Sequence, residues 1–197
     1  QKISDLGLQE GGPRSDRDVA VDNTGQYKTV QNNAVYAGMV ESVDTNLGRI
    51  VDRLEELGLS DNTVLILSSD HGGLSSRGLE SQRELATSNL PYRHGKGWLY
   101  DGGLRVPLVV KWPGRIPAGV STGEFMAMED WVPTIMSMLG QPELAKQLLD
   151  GHPVGNRTYK VHIDGVDQTD ILMGKGPTKR REFYYFTETT LHGARIG

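Results

Sequence analysis

The sequence predicts an α/β fold, and three observations lead to it. Apolar residues recur at three- and four-residue spacing over 27–57, the period of a helix with one buried face. A tight turn at Asp61-Asn62 leads into 63–68, a short run whose centre, Val64-Leu65-Ile66-Leu67, is apolar at every position. Uniform burial of that kind fits a strand covered on both faces, as in a parallel sheet. A second apolar run, 104–112, follows a charged, glycine-rich excursion. Helix, tight turn and strand make the second half of a βαβ unit.

Taken in order, residues 1–26 are rich in glycine and show no apolar period, which predicts loop with one short helical turn near 3–8. In the helix that follows, Tyr36, Met39, Val40, Val43, Leu47, Ile50, Val51, Leu54 and Leu57 form the stripe. Gly38 and Gly48 interrupt it at a cost of about 1 kcal/mol each, which predicts close packing there. Gly58 is the natural stop. Residues 74–92 are polar, with one helical stretch conceivable over 79–86. Pro107 inside the second run predicts an edge position, or a strand proper that begins at Leu108.

Residues 125–139 read as a helix with Pro133 in its first turn, ended by Gly140. A short helix is expected over 142–149 and a turn-rich stretch over 151–176. Residues 182–186 form a strand candidate, expected to open a small, partly antiparallel region whose other strands lie past Gly197. The domain reading is therefore 1–150 and 151–197.

Composition bounds the function. The chain has 197 residues with 37% hydrophobic and 23% charged, which is globular. The formal net charge is -4 and no basic run exceeds Lys179-Arg180-Arg181, so nucleic-acid binding has no electrostatic footprint. No apolar run approaches the ~20 residues a membrane span needs. The chain has no cysteine, which rules out disulfides, thiolate metal sites and cysteine nucleophiles within it. Its start at Gln1, with neither methionine nor signal sequence, suggests a processed chain or an excised fragment, and the C-terminus reads as a cut.

The residues able to do chemistry gather between the two strands. Asp70-His71-Gly72-Gly73 follows the first strand at its carboxyl end, where open α/β sheets bind ligands. A carboxylate and an imidazole side by side suit a divalent cation, and further ligands have to come from elsewhere. A structural turn is the competing reading. Lys96, between Gly95 and Gly97, can neutralise a tetrahedral oxyanion such as sulfate or phosphate, or simply be a surface lysine. His94 and Arg93 are candidate substrate contacts in the same loop. Asp101 is expected to hold the lysine loop by accepting backbone N–H groups, with Arg105 in support. Ser68 and Ser69 have no suitably spaced base, so no serine nucleophile is expected. Asp130 reads as a helix-start or supporting residue.

Taken together, Asn62 through Gly73, Leu90-Pro91-Tyr92-Arg93-His94-Gly95-Lys96-Gly97 and Asp101-Gly102-Gly103-Leu104-Arg105-Val106-Pro107 resemble the later part of the sulfatase catalytic domain. The flanks that carry Tyr36, Asp44 and Gly48-Arg49-Ile50, and Glu129-Asp130-Trp131-Val132-Pro133-Thr134, are similar to that family too. So are 162–168 and 184–186, at the transition into its C-terminal subdomain. The resemblance implies an alkaline-phosphatase-like mixed sheet flanked by helices, present as a partial domain, followed by the start of a small α+β subdomain.

It also implies hydrolysis of a sulfate monoester, of an aryl sulfate or a sulfated sugar, in a periplasmic or extracellular setting. Asp70 and His71 fall on the family's late metal ligands, with Ca2+ expected first and Mg2+, Mn2+ or Zn2+ as alternatives. Lys96 falls on its sulfate-binding lysine, while His94 stands where many members have glycine. The family's early motif, whose Cys or Ser becomes formylglycine, and its early metal-binding Asp pair have no counterpart in this chain. The implied partner is thus the N-terminal half of the same protein, and the chain alone is expected to be inactive. A phosphatase or phosphodiesterase of the same superfamily, and a non-catalytic sulfated-glycan binding fragment, stay open as alternatives.

Overall fold

The computed structural model describes residues 18–197, so the helical turn expected near 3–8 lies outside the described residues. The fold is mixed α/β, with several small sheets and flanking helices. It falls into two compact units, one ending at Val110 and one beginning at Lys111.

The first unit opens with a hairpin where loop and early helix were expected. Strands β1 (Val19–Val21) and β2 (Gln26–Lys28) pair antiparallel, Ala20 against Tyr27. Strand β4 (Ser76–Arg77) joins the other edge of β2, so the sheet order is β1-β2-β4. Each of these strands is two or three residues long, too short to show an alternating pattern. The β2–β4 pairing joins segments fifty residues apart, with the Arg77 guanidinium on Gln26 Oε1 at 2.8 Å.

Helix α1 (Ala34–Glu56) therefore starts later than the apolar period suggested. Asn33 fixes its start: the Asn33 Oδ1 accepts from the Tyr36 N–H at 3.0 Å. At the other end Gly58 adopts φ +67°, and the Gly58 and Leu59 N–H groups donate back to the Glu55 and Leu54 carbonyls. This is the double bond of a Schellman stop, which needs a left-handed residue and hence glycine. The packing expected at Gly38 and Gly48 is not made by described residues: nothing lies within 4 Å of a side chain built at either. The apolar stripe is open as well, with Met39 62%, Val43 61% and Ile50 56% exposed.

Strand β3 (Leu65–Ser68) follows a short 3-10 turn, and β5 (Leu108–Lys111) pairs with it in a two-stranded sheet. β5 starts just after Pro107, as a ring without an N–H requires. No helix forms over 79–86. The stretch before β5 is instead a one-turn helix, α2 (Asp101–Leu104).

In the second unit a 3-10 turn (Met128–Asp130) runs into α3 (Trp131–Met138), with Pro133 in its first turn. Helix α4 (Leu144–Asp150), the hairpin β6 (His152–Val154) with β7 (Arg157–Tyr159), and the short α5 (Thr169–Leu172) follow. The final strand candidate, β8 (Glu182–Thr187), finds its antiparallel partner inside the chain, in β9 (Thr190–Ile196). The expectation that its partners lie past Gly197 is corrected on that point. The tight reversal at Glu188, φ 54°, closes this hairpin without a glycine at its tip, which hid it in the sequence.

The interior of this unit is polar. Asp130 is fully buried and takes the Ala127 N–H at 2.9 Å, the Val166 N–H at 2.8 Å and the Arg180 guanidinium. Gln168 is also fully buried. It bridges by donating its side-chain amide to Thr178 Oγ1 at 2.9 Å, while its own backbone N–H donates to Thr134 Oγ1 at 2.9 Å. A buried carboxylate is tolerable only with this density of donors.

Candidate functional site

The site is built where three loop segments meet in the first unit: 70–73, 93–97 and 101–103. Strand β3 delivers the first. Its last residue, Ser68, donates its hydroxyl to the Pro107 carbonyl at 3.0 Å, and Ser69 donates to the His71 carbonyl at 2.9 Å. Both hydroxyls are thus committed to shaping the turn.

Asp70 projects outward with its side chain 82% exposed, and His71 is partly covered. The two side chains face each other, His71 Nε2 lying 3.3 Å from Asp70 Oδ2. His71 Nδ1 lies 3.0 Å from the Gly72 carbonyl. If Nδ1 carries the proton and donates there, Nε2 presents a lone pair beside a carboxylate oxygen. Two acceptors aimed at one point, with the second ring nitrogen held by a backbone carbonyl, are the donor set a divalent cation takes. The residues present fit such an ion. Among the described residues no group of three or more His, Cys, Asp or Glu converges.

Lys96 is exposed, and its backbone is tied to the ligand loop: the Lys96 N–H donates to the Gly73 carbonyl at 3.0 Å. The Gly72 N–H donates to the Gly103 carbonyl at 2.8 Å, and the Gly102 N–H to the Arg93 carbonyl at 2.9 Å. These loops touch backbone to backbone. A side chain at Gly72 would strike the Gly102 carbonyl, and one at Gly95 would strike the Gly73 carbonyl. The glycines flanking the chemistry are therefore spacing elements, allowing three main chains to approach without Cβ atoms between them.

Among the described residues the lysine loop is not held by Asp101, whose exposed carboxylate faces Arg105 at 3.8 Å. Asn89 holds it instead. Its side-chain amide lies 3.0 Å from the Gly73 carbonyl, 3.1 Å from that of His94 and 2.9 Å from that of Gly102. Sequence reasoning passed over Asn89 because an asparagine before Leu-Pro reads as an ordinary turn residue.

His94 is placed differently from the direct substrate contact expected of it. Its side chain is fully buried. It stacks on Trp98 with ring centroids 4.4 Å apart and on Tyr100 at 5.2 Å, with the edge of Tyr27 at 5.8 Å. Its Nε2 lies 2.7 Å from Thr24 Oγ1 and 3.1 Å from Asp22 Oδ2. Its backbone is left-handed at φ 55°, a conformation uncommon for a non-glycine residue, and the surrounding contacts hold it there. A ring so enclosed positions the loop from inside and does not reach solvent.

Arg93 is half exposed. It grips Asp22 Oδ2 through Nε and Nη2 and lies 4.1 Å over the Tyr100 ring. Asp22 is the hub of this brace. Hydrogen bonds from the Thr24 hydroxyl and Thr24 N–H, then from Arg93 and the Gly25 N–H, hold its carboxyl well below the usual carboxylate range. The structure thus brings Asp70, His71 and Lys96 onto one backbone framework, sets Arg93 at its rim, and puts His94 beneath it.

Comparison with known proteins points to one family. The family model described as Sulfatase matches residues 10–141. Human arylsulfatase D is 32% identical over 164 residues, covering 82% of this chain and 25% of its own length. The crystal structure of PsFucS1 sulfatase from Pseudoalteromonas sp. superposes with a TM-score of 0.62 at 27% identity, over 79% of this chain and 28% of that one. The phosphonate monoester hydrolase of Agrobacterium radiobacter is 30% identical with a TM-score of 0.51, over 79% of this chain and 26% of that one. The chain spans about a quarter of the length of the curated relatives it matches. With two thirds of its residues inside the family model and the loop framework in place, this chain belongs to the sulfatase family.

Proposed function

We propose that this chain is the part of a sulfuric ester hydrolase that supplies two metal ligands and an oxyanion-binding lysine. The observation that carries the reading is the Lys96-to-Gly73 backbone bond, which sets the lysine beside the Asp70–His71 loop. Asp70 and His71 would hold a divalent cation, Ca2+ first, through one carboxylate oxygen and one imidazole nitrogen. When bound, that cation supplies charge neutralisation to the sulfuryl oxygens. The exposed Lys96 ammonium adds a second positive charge, worth most where charge builds up in the transition state. Arg93, restrained by Asp22 and Tyr100, offers its remaining N–H groups at the rim. The nucleophile, expected as a formylglycine in the N-terminal part of the same protein, is not contributed by these residues. The substrate class is a sulfate monoester, aryl or sugar, and the expected compartment is periplasmic or extracellular.

The test is turnover of an aryl sulfate by the full-length protein, with and without removal of the metal by a chelator. Activity lost on chelation and restored by Ca2+ supports the reading. A comparable rate from residues 1–197 alone would overturn the division of labour. The 30% identity to a phosphonate monoester hydrolase favours one second reading, a phosphoryl or phosphonate ester as substrate. A full-length protein that hydrolyses such esters faster than sulfate esters, with Zn2+ as its preferred ion, would decide for it.

A further inference from the structure

We propose that Asn89 is the positioning residue that sets Lys96 against the Asp70–His71 loop. The proposal rests on the hydrolase reading above and names a residue that reading does not use. One carboxamide nitrogen, with two N–H groups, sits within 2.9–3.1 Å of three carbonyl oxygens. Each oxygen belongs to a different segment. Gly73 lies two residues after the imidazole ligand, His94 lies two residues before the lysine, and Gly102 lies in α2, ahead of β5.

Three carbonyl dipoles aimed at one point repel one another unless a donor lies between them. Side chains of these glycines cannot do this by packing, because Gly72, Gly95, Gly102 and Gly103 meet main chain to main chain. Hydrogen bonds define the spacing of these main chains, while the His94 ring packs beneath the loop on Trp98 and Tyr100. Ser75 adds a bond to the His94 carbonyl at 2.8 Å, and the Lys96 N–H adds one to Gly73, but neither of these reaches all three segments. Asn89 does. The half-buried amide bonds to backbone carbonyls and acts through the backbone that carries Lys96.

A general folding role and a positioning role differ in how Asn89 combines with Lys96. A fold staple lowers the amount of active protein whatever stands at 96, whereas a positioning residue has nothing left to position once the ammonium is gone. The experiment is a double-mutant cycle in the metal-loaded full-length protein, measuring kcat on an aryl sulfate for wild type, Asn89→Ala, Lys96→Ala and the pair. Asn89→Ala is expected to lower kcat by about 10²-fold, the scale of a misplaced catalytic group. The same change is expected to cost under about threefold when Lys96→Ala is already present. An undiminished loss in the Lys96→Ala background, or a wild-type kcat for Asn89→Ala, overturns the proposal.

Amide hydrogen exchange gives a readout free of activity. Exchange at Lys96 and Gly102 is expected to quicken roughly tenfold or more in Asn89→Ala, with the α1 amides unchanged. Unchanged exchange at both overturns the brace. Should the variant not fold, wild type decides: Lys96 and Gly102 amides that exchange like an open loop overturn it as well. A wild-type protein inactive on every ester tried removes the hydrolase reading itself, an outcome distinct from an active wild type with additive variants.

Discussion

Arg93 and Asp22, 71 positions apart, are joined by two guanidinium contacts of 3.2 and 2.9 Å to one carboxylate oxygen. The same oxygen takes His94 Nε2 at 3.1 Å. The turn between β1 and β2 thus braces the loop that carries Lys96, and its integrity depends on Asp22 being ionised.

The pH dependence follows in sign. The folded-state pKa of Asp22 lies below that of the unfolded chain, so the folded state is favoured wherever unfolded aspartate would be ionised. That contribution is complete above about pH 4, the ordinary aspartate value, and is lost as the pH falls toward the depressed folded value. Asp22→Asn is expected to lower the melting temperature at pH 7, and the gap to wild type should narrow progressively below about pH 4. A gap that stays constant from pH 7 to pH 3 in thermal melts would contradict this.

Lys96→Ala should leave the fold intact, since its side chain is exposed and its backbone N–H is retained. In the full-length protein it is expected to reduce kcat by about 10²-fold or more, the usual loss for one oxyanion-stabilising group. Steady-state kinetics beside a circular dichroism spectrum separate this from unfolding. A variant of native spectrum and native kcat would remove Lys96 from the site.

Asp130→Ala is expected to be the most destabilising of these changes. Arg180, only 8% exposed, would lose its fully buried carboxylate partner and keep, among the described residues, only the Glu129 carboxylate, 3.3 Å away, and the Ala127 and Val166 N–H groups would lose their acceptor. Breaking a buried pair from one side costs about 3–5 kcal/mol. Urea unfolding followed by Trp fluorescence should show it, and a loss under about 1 kcal/mol, the scale of an exposed pair, would mean the pair is solvated.

The open stripe of α1, Met39, Val40, Val43 and Ile50 among it, makes a further prediction about the isolated chain. Contiguous apolar surface on this scale marks a contact face. Residues 1–197 alone are expected to self-associate at micromolar concentration in sedimentation velocity and to bind a hydrophobic dye. A clean monomer that binds no dye would show the stripe to be covered in solution.

Much of the fold was legible in the sequence because its signals are local. The stripe of α1, the stop at Gly58, the start of β5 after Pro107 and the helix around Pro133 each arise within a few residues, from side-chain period or from backbone chemistry. The start of α1 needed Asn33 to be seen as a cap, and the apolar period ran on past it to Tyr27. The hairpin of β1 and β2 and the edge strand β4 were not legible, since strands this short carry no period, and the partner of β8 was hidden by a hairpin tip at Glu188 without a glycine.

For the site, the sequence by itself determined the residue types: an acid and an imidazole after a strand, a lysine between glycines, and a family pattern long enough to be specific. Only the tertiary structure decided their roles. It turned His94 inward, because aromatic rings from 27, 98 and 100 and a hydroxyl and carboxylate from 24 and 22 enclose it. It shifted the bracing task from Asp101 to Asn89, because three carbonyls remote in sequence converge on one amide. Hydrogen bonds between distant segments leave no mark on sequence spacing. Composition records which groups a chain owns, and folding alone sets which of them meet.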